Sequence, residues 1–489
     1  MFDKIKTATD SEVHEVLGHY MTKDISLIEA AIELSAAPET LREILDYHDI
    51  DVREPTKEEL VQDAAECLEP SKHGDGYQYS STDEGQLEET VSAIIERINV
   101  ELDQFQLSEG GLRRQIKGAI WEAKTGDGDT ADVFWSEMDD IHRYLGTQDR
   151  STYNIVFPLN VIYDDIEHPD EYRVLGETVE ALTDDVWETC SNWAYDCEKE
   201  KAEKSDVIGD RNKLEEWFKD SPNQLDRGGQ TYWMVEIEAL DNEYATDRCI
   251  AVLRFLLGRI NFALSRNQLE GMQMNSSIWN TRWMDLRLPF VYLIFEDNKY
   301  SHFSYSRDPT PRKSVKLFGH KADRYDNYLD DIPPLSDNRD TMENRLVKAV
   351  HSFQDAVTDT EAEDAFLNYW RAAESLTLTS ETDTTSTVVQ RARTVARTSN
   401  VVSQSKICEK RNKLVHEGES VEITTDDTNT VKDMVEALII LYVNKSSDWS
   451  HDDFLFFFEH GDKSDAALGH LKEERLSNID MIEEILQRN

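Results

Sequence analysis

Residues 388–418 read VVQRARTVARTSNVVSQSKICEKRNKLVHEG. The chain carries 99 acidic residues in 489, yet the 25 residues of 384–408 hold none, where that average would place about five. Between Arg391 and His416 there are seven basic residues (Arg391, Arg393, Arg397, Lys406, Lys410, Arg411, Lys413) and one acid, Glu409. Cation concentrated beside a histidine in an otherwise acidic chain points to an anionic partner, most simply phosphate. The same stretch sets the local fold. Residues 387–397 and 404–417 read as two helices, and Gly418 is a natural residue to stop the second.

Working outward, these two helices belong to a longer run. Residues 342–357 form one helical pattern, and 361–378 a second, with Phe366, Tyr369, Trp370, Ala373 and Leu376 as its apolar stripe. Residues 430–443 are the most apolar of the set. Four or five helices in about a hundred residues make a bundle. The expected domain is 341–446, followed by a helical tail over 447–489 whose last helix is 471–486. Two prolines and several turn formers at 330–340 mark its upstream boundary.

The region before that boundary reads differently. Residues 154–163 (NIVFPLNVIY) and 232–240 (YWMVEIEAL) have strand character, and 289–297 with 300–306 read as a strand pair around the turn at 297–299. Residues 172–204, 212–219 and 245–264 read as helices, the last carrying Arg254 and Arg259. This is expected to be an α/β or α+β domain over 150–329 serving as sensor or scaffold, with neither a phosphate loop nor a nucleophile elbow. Residues 1–69 read as helices, with a helix-turn-helix-like pattern at 26–52. Residues 70–145 read as a turn-rich linker at 70–86 followed by helices at 87–107 and 112–123. The whole is an α+β multidomain chain: a mostly helical N-terminal region, an α/β middle domain and an all-α C-terminal bundle.

The formal net charge of −47 is spread along the chain rather than gathered in a tail, as suits a halophile's protein working in molar salt. Five cysteines, odd in number and without a CxxC pair, support neither a zinc site nor a disulfide framework. TGDGDTAD at 125–132 fails as a calcium loop, because Ala131 and Met138 stand where carboxylates are needed. The start, MFDKIKTATD, is not a signal peptide, and no apolar run is long enough to span a bilayer. The expected location is the cytoplasm, with no membrane contact.

At the end of the 404–417 helix, His416 sits where the helix dipole favours a protonated imidazole. Asn412, four residues earlier, shares its face. Arg411, five residues earlier, is rotated by about 140° at about 100° per residue, so one chain aims Arg411 and His416 apart. Two copies about a two-fold axis can bring both into one cleft. RNA carries its own nucleophile, the 2′-OH beside each phosphate. Its cleavage needs an acid or base near neutral pH, which histidine supplies, and a cation for charge developing on phosphorus, which arginine supplies. No metal and no cofactor is called for.

Arg411-Asn412, three residues and then His416, late in a helical bundle, is similar to the signature of the HEPN superfamily. AFLNYWRAAESL at 365–376 followed by RNKLVHEG at 411–418 resembles its Apea-like branch. The resemblance covers residues 341–446. It implies a metal-independent endoribonuclease site formed between two protomers through the bundle. It also implies Arg411 as phosphate stabiliser, Asn412 as positioning residue and His416 as acid or base. Members commonly serve in antiviral defence or toxin systems, and some bind RNA without cutting it.

The looser pattern of an Arg, four to six residues and then a His also occurs at Arg42–His48 and Arg345–His351, but with Glu43 and Leu346 after the arginine. Only the copy at Arg411 adds the polar neighbour, the helix-ending glycine and the basic surround. Glu374, beside the buried stripe, can pair with Arg411 and orient it, or lie on a solvated face. Arg391, Arg393, Arg397, Lys406, Lys410 and Lys413 can track an RNA backbone, or answer acids elsewhere in the chain. Two other function classes remain compatible with the residues: a non-catalytic module binding RNA or a nucleotide, and a DNA-binding regulator using 26–52. DNA contact is disfavoured there by Glu39, Glu43, Asp46 and Asp49 around the lone Arg42.

Overall fold

The computed structural model describes residues 55–71, 77–79, 84–98, 100–138, 141–164, 168–204, 230–270, 286–305, 315–318, 329–378, 383–396, 401–417, 421–461, 463–464, 466–473 and 475–476, together with Val16, Leu17, His19, Ala30, Leu34, Leu41 and Leu45. The helix-turn-helix-like segment at 26–52 lies outside the described residues, save for the buried Ala30, Leu34, Leu41 and Leu45. The expected helix at 212–219 and the end of the one at 471–486 lie outside them too. The fold is mixed α+β and dominated by helices. It divides into two compact units, Met1–Thr152 with Glu238–Thr246, and Tyr153–Ile237 with Asp247–Asn489.

In the first unit, α1 (Lys57–Cys67) starts at a capping box between Thr56 and Glu59. A short antiparallel pair, β1 (Glu69–Pro70) and β2 (Tyr77–Gln78), stands where the sequence suggests a linker. α2 (Glu84–Ile98), α3 (Leu102–Phe105), α4 (Glu109–Thr125), α5 (Thr130–Met138) and α6 (Ile141–Gly146) follow. The single helix expected at 87–107 is thus two, broken before Leu102. Leu60, Val61, Leu87, Val91, Leu112, Ile116, Ile120 and Phe134 fill one core. Asp129 in the TGDGDTAD segment accepts from the amides of Ala131 and Asp132 and opens α5. Asp241 accepts from the amide and hydroxyl of Ser108, at 2.8 and 2.9 Å, and from the amides of Glu243 and Tyr244. A Cβ at Gly111 would collide with that carboxylate, which is why α4 begins with glycines.

The second unit holds a six-stranded sheet of order β5-β6-β7-β3-β8-β9, made of β3 (Ser151–Leu159), β5 (Glu171–Val174), β6 (Glu177–Leu182), β7 (Thr231–Ala239), β8 (Val291–Glu296) and β9 (Lys299–Tyr305). β3–β8, β5–β6, β6–β7 and β8–β9 pair antiparallel. The middle region is therefore α+β rather than α/β. β4 (Val161–Asp164) pairs in parallel with β10 (Val315–Phe318) as a separate ladder. The β8–β9 turn has Asp297 and Asn298 at φ 48° and 62°, the left-handed pair that suits a tight hairpin.

Residues 172–204 depart from the single helix expected there: a β5–β6 hairpin comes first, and α7 (Asp184–Lys204) begins only afterwards. The hairpin turn is Leu175–Gly176, at φ 53° and 86°. Leucine disfavours that conformation. It is held there because its N–H donates to Pro334 O at 2.9 Å and its carbonyl accepts from Arg248, which also pairs with Glu177 at 2.9 Å. α7 covers one sheet face, over Val156, Leu293 and Phe295.

α8 (Asn242–Glu270) belongs by sequence to the middle domain, yet it also packs on the C-terminal helices. Gly258 lets it approach Val350 closely, and Phe262 meets Phe353 with centroids 5.8 Å apart. Arg259 donates to Ile332 O at 2.7 Å, and Asn261 to Gln354 Oε1 at 2.7 Å. Ser265, Lys432 and Glu436 form a buried triad.

The bundle comprises α9 (Thr341–Thr358), α10 (Ala362–Leu376), α11 (Thr385–Ala396), α12 (Val401–Asn412), α13 (Thr425–Lys445) and α14 (His451–His460). The stripe Phe366, Tyr369, Trp370, Ala373 and Leu376 is buried throughout, against a core that includes Leu346, Phe353, Leu438 and Tyr442. Among the described residues, no helix is long and apolar enough to cross a membrane.

Candidate functional site

Three helices meet at Arg411 and Asn412. α12 carries it in its last turn, α10 supplies Glu374, and α11 supplies Thr385. Arg411 Nη2 donates to Glu374 Oε1 at 3.1 Å, so the pairing read as one option in the sequence is present. The same oxygen accepts the indole N–H of Trp370 at 2.6 Å. The arginine side chain is 18% exposed and the glutamate 33%. At that depth a charge-assisted bond is screened less than on an open surface.

Asn412 Oδ1 accepts the Thr385 hydroxyl at 2.8 Å, which joins the site to the first turn of α11. Cys408, one turn before Asn412, has its thiol 3.8 Å from Thr385 O. Burial pushes that thiol's pKa up, against smaller opposing effects that include the charge of Arg411. Cys408 is therefore a packing residue beside the site rather than a nucleophile.

The helix does not run regularly to residue 417. After Asn412 the chain widens into a π turn, Lys413–Glu417. Hydrogen bonds to i+5 rather than i+4 need less rotation per residue, so the spacing of a regular helix does not hold across this turn. His416 has its backbone in this turn. Its side chain and Gly418 lie outside the described residues.

The other predicted cations separate into distinct groups. Arg391 donates to Thr377 O and Leu378 O, both at 3.0 Å, and lies 3.8 Å from Asp383. It closes the C-terminal end of α10 and is committed within the chain. Lys410 donates to Glu422 O at 2.7 Å and to Asp427 at 2.6 Å. Burial opposes the charge on Asp427, but hydrogen bonds from Lys410 and Thr424 outweigh it and hold the carboxyl below its ordinary value. Lys413 pairs with Glu409 at 2.9 Å on the surface. Arg393 and Lys406 are exposed, and Arg397 lies outside the described residues.

The competing Arg-to-His spacings resolve differently. Arg345 donates to Ser375 O at 3.1 Å, and His351 packs edge-on to Phe255. Burial above all, then the charge of Arg254, holds the His351 imidazole down at about 4, despite a hydrogen bond to the Ala251 backbone. It is a half-buried histidine held neutral near pH 7. His48 lies outside the described residues.

Two contributors escaped the sequence reading. Trp370 reads there only as core, although its position four residues before Glu374 puts both on one helix face. Thr385 has no local signal, because its role depends on where α11 meets α12. Among the described residues, no group of three or more His, Cys, Asp or Glu side chains is placed to hold a metal ion. Compared with known proteins, the chain matches no family model, no curated protein and no solved structure.

Proposed function

We propose that the chain is an endoribonuclease of HEPN type, cutting RNA at Arg411, Asn412 and His416. The observation that carries this reading is the Glu374–Arg411 pair at the rim of a helical bundle, with Asn412 fixed beside it and the last turn of α12 widened. Glu374 orients the guanidinium and Thr385 orients the amide. The last turn of α12 is widened where His416 lies, and such turns recur at functional sites.

In the proposed reaction the 2′-oxygen of the substrate attacks phosphorus and the bond to the 5′-oxygen breaks. A base takes the 2′-OH proton, and an acid returns a proton to the 5′-oxygen. The products are a 2′,3′-cyclic phosphate and a 5′-OH end. His416 serves as acid or base, and Arg411 takes the charge building on the phosphoryl oxygens. A second copy of the chain, joined through the bundle, supplies the other half of the cleft. Among the described candidate cations, Arg393 and Lys406 are the ones exposed to meet the RNA backbone.

The setting proposed is the cytoplasm of a halophile, in antiviral defence or a toxin-like system. The distributed charge of −47 supports the halophilic part. The reading is tested on an RNA and on the same RNA with a 2′-deoxy residue at the cut. Cleavage of the first to a cyclic phosphate, with the second left intact, is expected. Binding of both without cleavage of either would assign a binding module instead.

A further inference from the structure

We propose that Trp370 is a positioning residue for Arg411: its indole N–H fixes Glu374, and Glu374 aims the guanidinium. This rests on the reading of Arg411 as the group that holds the scissile phosphate. Both donors meet one atom, Glu374 Oε1, the indole at 2.6 Å and Arg411 Nη2 at 3.1 Å. A glutamate side chain has three rotatable bonds, and a partner on a flexible arginine restrains them only loosely. The indole removes that freedom because it is itself immobile. Trp370 is 1% exposed and stacks on Phe366 with centroids 6.5 Å apart.

Trp370 and Glu374 also share one helix at a spacing of four, so the helix backbone sets their separation. Arg391 holds the carbonyls of Thr377 and Leu378 just beyond, which steadies the turn that carries Glu374. A phenylalanine at position 370 would keep an aromatic ring in the same core and leave the carboxylate without this donor. The indole thus links the rigid bundle interior to a charged group at its rim.

The test uses the full chain with tryptophan indoles labelled by nitrogen-15. The Trp370 signal is the one missing from Trp370→Phe. Glu374→Ala is expected to shift its indole proton upfield, and Arg411→Ala to shift it as well, because the two donors share an oxygen. In RNA cleavage, Trp370→Phe is expected to lower kcat about tenfold with KM unchanged. In a Glu374→Ala background it should cost nothing further. An indole signal unmoved by either Glu374→Ala or Arg411→Ala overturns the proposal. So does a Trp370→Phe effect of equal size with and without Glu374, which would make the role one of packing. If the wild-type chain cuts no RNA, the ribonuclease reading fails by itself, and the two indole shifts still decide the link from Trp370 to Arg411.

Discussion

Glu374 Oε1 and Arg411 Nη2 lie 3.1 Å apart across 37 residues of sequence, joining α10 to the end of α12. Replacing the charge while keeping the shape isolates its role. Glu374→Gln is expected to slow RNA cleavage by about 10- to 100-fold. The pair is partly exposed, so its contribution to stability is about 1 kcal/mol or less. Single-turnover rates and thermal melts on the same samples separate the two effects.

The buried triad of Ser265, Lys432 and Glu436 fixes how α8 sits on α13. Glu436→Ala leaves an ammonium buried without its counter-ion and is expected to cost about 3–5 kcal/mol. Adding Lys432→Met should recover most of that loss. Urea denaturation at constant KCl measures both.

Gly258 tests the same interface by packing. A Cβ there would stand 2.6 Å from Val350 Cγ1 and 2.9 Å from its carbonyl oxygen. Gly258→Ala is expected to destabilise the fold by about 1–3 kcal/mol, because neither neighbour is the loose end of a long side chain. Thermal melts of the two proteins provide the check.

His351 gives a defined acid sensitivity. Its folded pKa is about 4, against 6.5 for the ordinary side chain. Between those values the unfolded chain binds the proton and the folded chain does not, so stability is full above about pH 6.5 and falls as pH drops toward 4. The loss amounts to about 3 kcal/mol at the low end. His351→Phe, which keeps a ring against Phe255, should show a shallower decline than wild type over that window. Stability curves of the two proteins from pH 7 to pH 4 provide the comparison.

The cations divide by the work each does. Lys406→Ala and Arg393→Ala are each expected to weaken RNA binding and to lower the salt slope by roughly 0.7, the value for a single-stranded phosphate contact. Arg391→Ala should leave that slope unchanged and cost about 1–3 kcal/mol of stability, because the Thr377 and Leu378 carbonyls lose their donor. Binding titrations at several KCl concentrations distinguish the two classes.

Much of the bundle was legible because its information is local. The stripe from Phe366 to Leu376 repeats at helical spacing, and burial follows the repeat residue by residue. The β8–β9 hairpin was legible because Asp297 and Asn298 are residues a tight turn selects. The β5–β6 hairpin was not, because Leu175 is no turn residue by type and is held by Arg248 and Pro334 from distant segments. The site shows the same contrast. Arg411 and Asn412 stood out through charge and spacing, whereas Thr385 depends on a helix crossing and the widened turn after Asn412 breaks the periodicity that the sequence reading assumed.

The central claim is tested most directly by RNA cleavage in molar KCl with EDTA present, using wild type, Arg411→Ala and His416→Ala, each first matched by melting temperature. Cleavage by wild type, lost by at least about a thousandfold in both variants, is the expected result. Equal cleavage by all three would contradict the account.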